Sequence, residues 1–371
     1  MSPGARAKAA VMVLEAPRRL TPAELRLPEI GDDDGLLRVE ACGLCGTDHE
    51  QYTGELFGGF PFIPGHESVG VIEAVGERAA QRWTVKVGDR VAVAPFQACR
   101  TCSTCRRGMY RACRAHGLKD MYGFVDVGRE PGLWGGYAQY QYLAPDSVVL
   151  PVPQDLDPVV TTLFNPLGAG IRWGVTVPGT REGDIVAVMG PGIRGLSVTL
   201  AASRAGAGHV MATGRGERDA DRLALALKLG AACVVDVDKE DPVAALKRSA
   251  GRLADVVVDV TAKAPGALGQ AIALARPGGT VVLAGTRGTT DTPGFVPDLI
   301  VLKELRVLGA LGVEVGEYQA ALDLLPTPEA AALTNAPRRT VGLADAEDLL
   351  LTMAGERTSV PPVHGVIDPW K

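Results

Sequence analysis

Aromatic side chains are scarce: Phe, Tyr and Trp together make up 5% of the 371 residues, against 46 glycines. A chain so poor in rings brings few bulky aromatics to its cores, and its glycine excess implies tight turns or close backbone contacts. Basic charge is not in excess either. There are 38 Lys and Arg against 43 Asp and Glu, a formal charge of −5, so the electrostatic footprint of a nucleic-acid partner is missing. No apolar run reaches the roughly 18 residues that a membrane-spanning helix needs. The apolar run 9–14 ends at Glu15 and is too short for a secretory h-region, so the expected location is the cytoplasm. Cysteine is infrequent, with 7 in all. Six of them fall between Cys42 and Cys113, and such clustering in a cytoplasmic chain suggests metal ligands before disulfides.

What is present is ordinary globular material, 46% apolar and 22% charged, in a chain long enough to bury a core without covalent staples. At about 150 residues per domain, two or three domains are expected. Short β segments with Gly and Pro punctuation fill the first part, at 35–40, 68–75, 89–94 and 138–143, and suit a mostly antiparallel domain. From about 160 the texture changes. Apolar runs at 184–189, 209–213, 233–236, 254–259 and 280–284 alternate with helical stretches at 195–205, 219–229, 243–249 and 267–275, and a further apolar run lies at 305–308. That alternation implies a parallel sheet covered by helices on both faces. After about 311 the sequence reads as a short helix, 318–325, followed by Pro-rich turns.

Gly190-Pro-Gly192-Ile193-Arg194-Gly195 follows one of the apolar runs and opens a helix. The first glycine permits a tight turn, the second lets backbone approach a pyrophosphate, and the third lets helix and strand pack closely. The free N–H groups of the helix N-terminus favour the phosphates. An acid at the end of the next strand would hold the ribose 2′-hydroxyl of NAD. Here that strand ends Thr213-Gly214-Arg215. The small residue leaves room for a 2′-phosphate, Arg215 could pair with it, and Arg218 is a second candidate. NADP is therefore favoured over NAD. The rival reading has Arg215 solvated and Glu217 or Asp219 taking the ribose.

Cys99, Cys102, Cys105 and Cys113 are spaced to surround one tetrahedral Zn²⁺ in a closed structural site. Arg100, Arg106, Arg107 and Arg111 crowd the segment and would favour thiolates. Disulfide pairing and an iron–sulfur cluster are the alternatives. Cys45 and His66 offer one soft and one borderline ligand, a mixture that zinc accepts. A carboxylate and water would complete a site with an open, catalytic position. Cys42 and Cys233 remain as unliganded thiols.

Together, Cys45-Gly-Thr47-Asp48, Gly65-His66-Glu67, Val87-Gly-Asp-Arg-Val91, the four-cysteine lobe, Gly135-Gly-Tyr-Ala138 and the Gly190 turn resemble the medium-chain zinc-dependent alcohol dehydrogenase family across nearly the whole chain. The likeness is nearer the polyol, sugar and threonine dehydrogenase branch. It implies an α/β fold with a GroES-like β-rich catalytic domain (1–160, zinc lobe about 95–115), a Rossmann doubly wound parallel sheet (161–310) and a C-terminal return to the catalytic domain (311–371), with the active site in the cleft. It also implies a homodimer or homotetramer with a small-molecule alcohol or carbonyl substrate and no nucleic-acid or membrane partner. By this resemblance Cys45, His66 and Glu67 are ligands of a catalytic zinc, Thr47 passes on the substrate proton, and Asp48 orients His66. The four cysteines match the structural zinc lobe.

The chain departs from the family in two places. Asn165 and Gly168 stand where relatives carry a third ligand, and neither is a good zinc donor. Either Glu67 and water complete the shell, with Asn165 holding that water, or the zinc has been lost. The family's relay histidine position is Glu50 here, and His49 falls one residue early, so the end of the proton relay is open. The expected activity is hydride transfer between an alcohol, or its aldehyde or ketone, and a nicotinamide cofactor. A zinc-free reductase of activated C=C bonds and a decayed nucleotide-binding sensor or structural protein are the alternatives. Phe57, Phe60, Phe62, Phe124 and Trp134 could line an apolar pocket for a bulky or cyclic alcohol, with a polyol as the competitor.

Overall fold

The computed structural model describes residues 7–56, 59–288 and 291–371. Phe57 lies outside the described residues. The chain divides into two compact units, one of residues 1–165, 314–322 and 337–371 and the other of residues 166–313 and 323–336. Segment 323–336 thus joins the second unit, although it lies beyond the 310/311 boundary expected from sequence.

The first unit is built on a seven-stranded sheet whose order runs Arg338–Val341, His364–Ile367, Gly35–Leu44, Ser68–Val75, Arg90–Val93 and Val149–Pro151, with Tyr140–Leu143 also paired to Gly35–Leu44. All pairings are antiparallel except that of Arg338–Val341 with His364–Ile367. Strand Gly35–Leu44 is buried along most of its length. Its two charged residues, Arg38 and Glu40, are the positions that stay partly exposed.

The second unit is a six-stranded sheet, every neighbouring pair parallel. Its order is Cys233–Asp236, His209–Gly214, Ile185–Met189, Ala254–Asp259, Ala275–Leu283 and Arg306–Gly309. Numbered along the chain this is 3-2-1-4-5-6, the doubly wound order that reverses beside the first strand. The β-rich domain and the parallel sheet expected from sequence are both present.

Two elements lie outside those expected from the sequence, and the expectation for the tail needs correction. The run 9–14 belongs to a hairpin, Lys8–Ala16 with Arg19–Arg26. Residues after Cys45 form the helix Gly46–Thr53. The tail is not merely Pro-rich turns: it carries helix Ala346–Ala354 and two sheet strands. Its strand His364–Ile367 is only 4 residues long, too short for its period to stand out from the turns around it.

Candidate active site and cofactor turn

Antiparallel pairing brings the first metal motif together. Cys42 lies opposite Ser68, and the Gly43 N–H donates to the Glu67 carbonyl at 3.1 Å. The end of one strand, Cys45, therefore meets the start of the other, His66 and Glu67. Gly65, with φ +93°, makes the turn possible; a Cβ there would stand 2.6 Å from the Tyr137 ring. Cys45 also caps helix Gly46–Thr53. Its sulfur accepts the Thr47 N–H, and its own N–H donates to Asp48 Oδ2 at 2.8 Å. A thiolate at a helix N-terminus is favoured by the dipole and the free N–H groups.

One ligand atom each from Cys45, His66 and Glu67 falls within 4.8 Å of the others, and all three residues are buried. This sulfur, nitrogen and oxygen set suits zinc, whose bonds of about 2.0–2.3 Å require only a modest contraction. Asp48 Oδ1 stands 3.5 Å from His66 Nδ1. Both atoms are buried without a hydrogen-bond partner, as is the Tyr137 hydroxyl. An imidazole that binds metal through its other nitrogen would turn Nδ1–H toward Asp48, so these orphaned atoms fit a bound cation. Burial opposes the charging of His66, but Asp48 and Cys45 outweigh it and hold its pKa well above the ordinary value.

The neighbours differ from expectation in several ways. His49 turns to the tail: its Nε2 lies 2.6 Å from Glu356, which also pairs with Arg18. Asn165 is buried and donates to the Tyr318 hydroxyl at 3.3 Å. Thr47 is half-buried in the first helical turn, and Glu50 stands one residue past His49 on the same helix. Among the phenylalanines, the Phe124 ring centre lies 6.3 Å from that of His66. Phe62 stacks between Phe60 and Phe124, and Trp134 packs in the core against Tyr122 and Tyr142.

Sequence reading missed His364. It is 2% exposed, both ring nitrogens lack hydrogen-bond partners, and Nε2 lies 4.0 Å from Glu67 Oε2. Burial and the nearby Arg338 push its pKa down to about 3. The motif around it, Val363-His-Gly, carries no signature, and no spacing rule ties it to a site some 300 residues earlier.

The four-cysteine lobe gathers Cys99, Cys102, Cys105 and Cys113, again with ligand atoms within 4.8 Å. All seven cysteines are free thiols, and the Cys99 and Cys105 sulfurs are 4.0 Å apart. Tetrahedral zinc thiolates would stand about 3.8 Å apart. The expected arginine effect on the thiols is not what acts. The Thr104 hydroxyl and the backbone N–H groups of Arg114 and Cys105 bring Cys102 down to about 5, and the Thr101 hydroxyl leads in lowering Cys99. Burial raises Cys105 to about 12. Arg100 is turned to the carbonyls of Ala98 and Ser147, and Arg111 to Glu314.

In the second unit, Gly190 follows strand Ile185–Met189 with φ +97°, and Gly192 caps helix Ile193–Arg204. A Cβ on Gly195 would stand 1.8 Å from the Gly190 carbonyl oxygen, whereas one on Gly192 would meet nothing within 4 Å. The third glycine is thus needed for packing, and the second borders open space, as a phosphate cradle requires. Arg194 lies over the Trp173 ring at 5.0 Å, and Ile193 begins the helix. At the tip of strand His209–Gly214, a Cβ on Gly214 would stand 2.9 Å from Pro191, which accounts for the missing acid. Thr213 is buried. Arg215 Nε donates to Asp238 at 2.9 Å, and its N–H donates to Asp219 Oδ2 at 2.8 Å. Arg218 and Glu217 are exposed.

Known proteins match this architecture. Residues 31–154 fit the alcohol dehydrogenase GroES-like domain, and residues 195–327 fit the zinc-binding dehydrogenase family. The chain belongs to the medium-chain zinc-dependent alcohol dehydrogenase family. A probable alcohol dehydrogenase of Mycobacterium tuberculosis is 68% identical over 100% of both chains. The sorbitol dehydrogenase of Bacillus subtilis is 33% identical over 81% of each. A candidate zinc-binding dehydrogenase of Sinorhizobium meliloti, solved bound to NADP, is 28% identical with TM-score 0.83, covering 98% of this chain and 100% of that one. As a family member the chain is an oxidoreductase that moves hydride between an alcohol, or its aldehyde or ketone, and a nicotinamide cofactor.

Proposed function

We propose that Cys45, His66 and Glu67 hold a catalytic zinc, that the four-cysteine lobe holds a structural one, and that the enzyme oxidises primary or secondary alcohols with NADP. The observation that carries the reading is the buried sulfur, nitrogen and carboxylate set within 4.8 Å. When bound, zinc supplies Lewis acidity that lowers the pKa of an alcohol, and the nicotinamide takes up hydride. The chain's own residues do the rest. Asp48 accepts from His66 Nδ1 and fixes the ring's orientation. The Thr47 hydroxyl accepts the substrate proton as it gives up its own toward solvent. His49 holds Glu356 and leaves the relay to other groups. The turn from Gly190 to Gly195 cradles the pyrophosphate, and Arg215 faces the 2′-phosphate.

Phe124 beside His66 supports an alcohol with an apolar body over a polyol. A homo-oligomer is supported by the outer strand Arg306–Gly309 and by exposed Val301, Leu302 and Leu311 near it, since an unpaired apolar edge suits self-pairing between copies. Among the described residues no helix is long and apolar enough to cross a membrane. The test is a screen of alcohols and aldehydes with NADP and NAD, following absorbance of the reduced cofactor, before and after chelation. Activity should vanish with the metal and return with Zn²⁺. A metal-free protein of undiminished activity would sink the reading.

A further inference from the structure

Glu67 has a neighbour that the motif does not supply. His364 enters from strand His364–Ile367, which pairs antiparallel to the end of Gly35–Leu44, with Gly365 opposite Leu44. Its ring is buried, and neither nitrogen has a hydrogen-bond partner. Its Nε2 is 4.0 Å from Glu67 Oε2. The space between them is kept by Gly43, where a Cβ would stand 2.4 Å from Glu67 Oε2 and 3.2 Å from His364 Nε2. A histidine there is a poor filler. Leu or Met would pack the same volume without burying two polar atoms that make no bond.

We propose that His364 is a positioning residue for Glu67: its Nε2–H donates to Oε2 and fixes the rotation of the carboxylate, leaving the other oxygen as donor to the metal. The last torsion of a Glu side chain is broad, so a twist of the carboxylate closes the gap to a hydrogen bond of about 2.9 Å. Holding a ligating carboxylate by an outer hydrogen bond raises metal affinity, and loss of such partners typically costs about 10–100-fold. The inference rests on the reading of Glu67 as a zinc ligand.

The test is zinc retention by the full-length, zinc-loaded enzyme against a graded chelator, with zinc per chain measured directly. His364→Met should release one zinc at about 10–100-fold lower chelator than the parent protein and keep the other on its cysteines, which marks an intact fold. His364→Gln places an amide donor near the Nε2 position and should retain zinc as the parent does. If His364→Met holds both zincs as the parent does while Glu67→Ala releases one early, the inference fails and the ligand reading stands. If Glu67→Ala is also indistinguishable from the parent, the ligand reading itself fails. A His364→Gln variant as leaky as His364→Met overturns the donor role, leaving only a role of shape. Should His364→Met lose both metals by unfolding, Gly43→Ala probes the same contact by wedging the two side chains apart, and unchanged zinc retention there overturns the inference.

Discussion

Asp48 faces two ways at once. One carboxylate oxygen accepts the Cys45 N–H at 2.8 Å, and the other stands 3.5 Å from His66 Nδ1. One side chain thus closes the cap of a helix and faces the imidazole of the neighbouring strand end, so the two proposed ligands are oriented by a single carboxylate.

Removing it should therefore act on both. Asp48→Ala is expected to weaken zinc at the Cys45 site by about 10–100-fold and to cost about 1 kcal/mol through the lost cap. Competition with a chromophoric chelator measures the first, and thermal melting of the metal-saturated protein the second. An unchanged zinc affinity would remove Asp48 from the site and leave it as a cap alone.

The glycine turn separates two roles that a motif merges. Gly195→Ala puts a Cβ 1.8 Å from backbone oxygen, and overpacking of this kind costs about 1–3 kcal/mol. Gly192→Ala meets no protein atom, so the fold should tolerate it. Its methyl group instead enters the space expected for the pyrophosphate. The expected result is a clear drop in melting temperature for the first variant. For the second, a cofactor dissociation constant raised at least tenfold should accompany near-normal melting. Equal cofactor affinity in Gly192→Ala and the parent would place the phosphate elsewhere.

How much of this was legible depended on sequence distance. The two cysteine-bearing motifs, the glycine turn and the alternation of strands and helices are local patterns, read within windows of a few dozen residues. His364 and Glu356 are not. Each reaches the Cys45 region from the tail, and nothing near them in sequence signals a partner there. The same holds for Asn165, whose bond to Tyr318 joins two segments with no shared motif. His49 misled for the opposite reason. Its nearness to the family's relay position suggested a catalytic role, while the helix turns its ring to Glu356. The thiols differ in cause as well: arginines are abundant beside them, yet hydroxyl and backbone donors lower Cys99 and Cys102.

Asp255 makes the parallel sheet sensitive to acid. Burial favours its neutral form, but Arg252, the Ile185 N–H and Arg276 outweigh this and hold its pKa at about 2. The folded value is below that of an unfolded Asp, about 3.9. Its contribution to stability is therefore fully present above about pH 4 and is lost as pH falls through about 2. Asp255→Asn should lower stability by about 2 kcal/mol at neutral pH, and the difference from the parent should shrink to near nothing at pH 2. Urea unfolding across that range checks it. A difference that does not change with pH would mean that the Asp255 charge has no part in it.

Arg215 decides the cofactor prediction. Its guanidinium is exposed and held by Asp238 at 2.9 Å, an ion pair of the kind worth about 0–1 kcal/mol. A 2′-phosphate carries more charge than a carboxylate and offers three acceptor oxygens, so it should draw Arg215 from Asp238 at little cost. Arg215→Ala is then expected to weaken NADP binding about tenfold while leaving NAD within about twofold, and the NADP loss should shrink as salt is raised, since exposed charges are screened. Asp238→Asn should move the balance the other way, toward NADP, by freeing the guanidinium. Titration of both cofactors against the three proteins at low and moderate salt gives the answer. If Arg215→Ala weakens both cofactors alike, the side chain supports the loop through Asp238 and reads no phosphate, and the ribose falls to the carboxylates of Asp219 and Glu217.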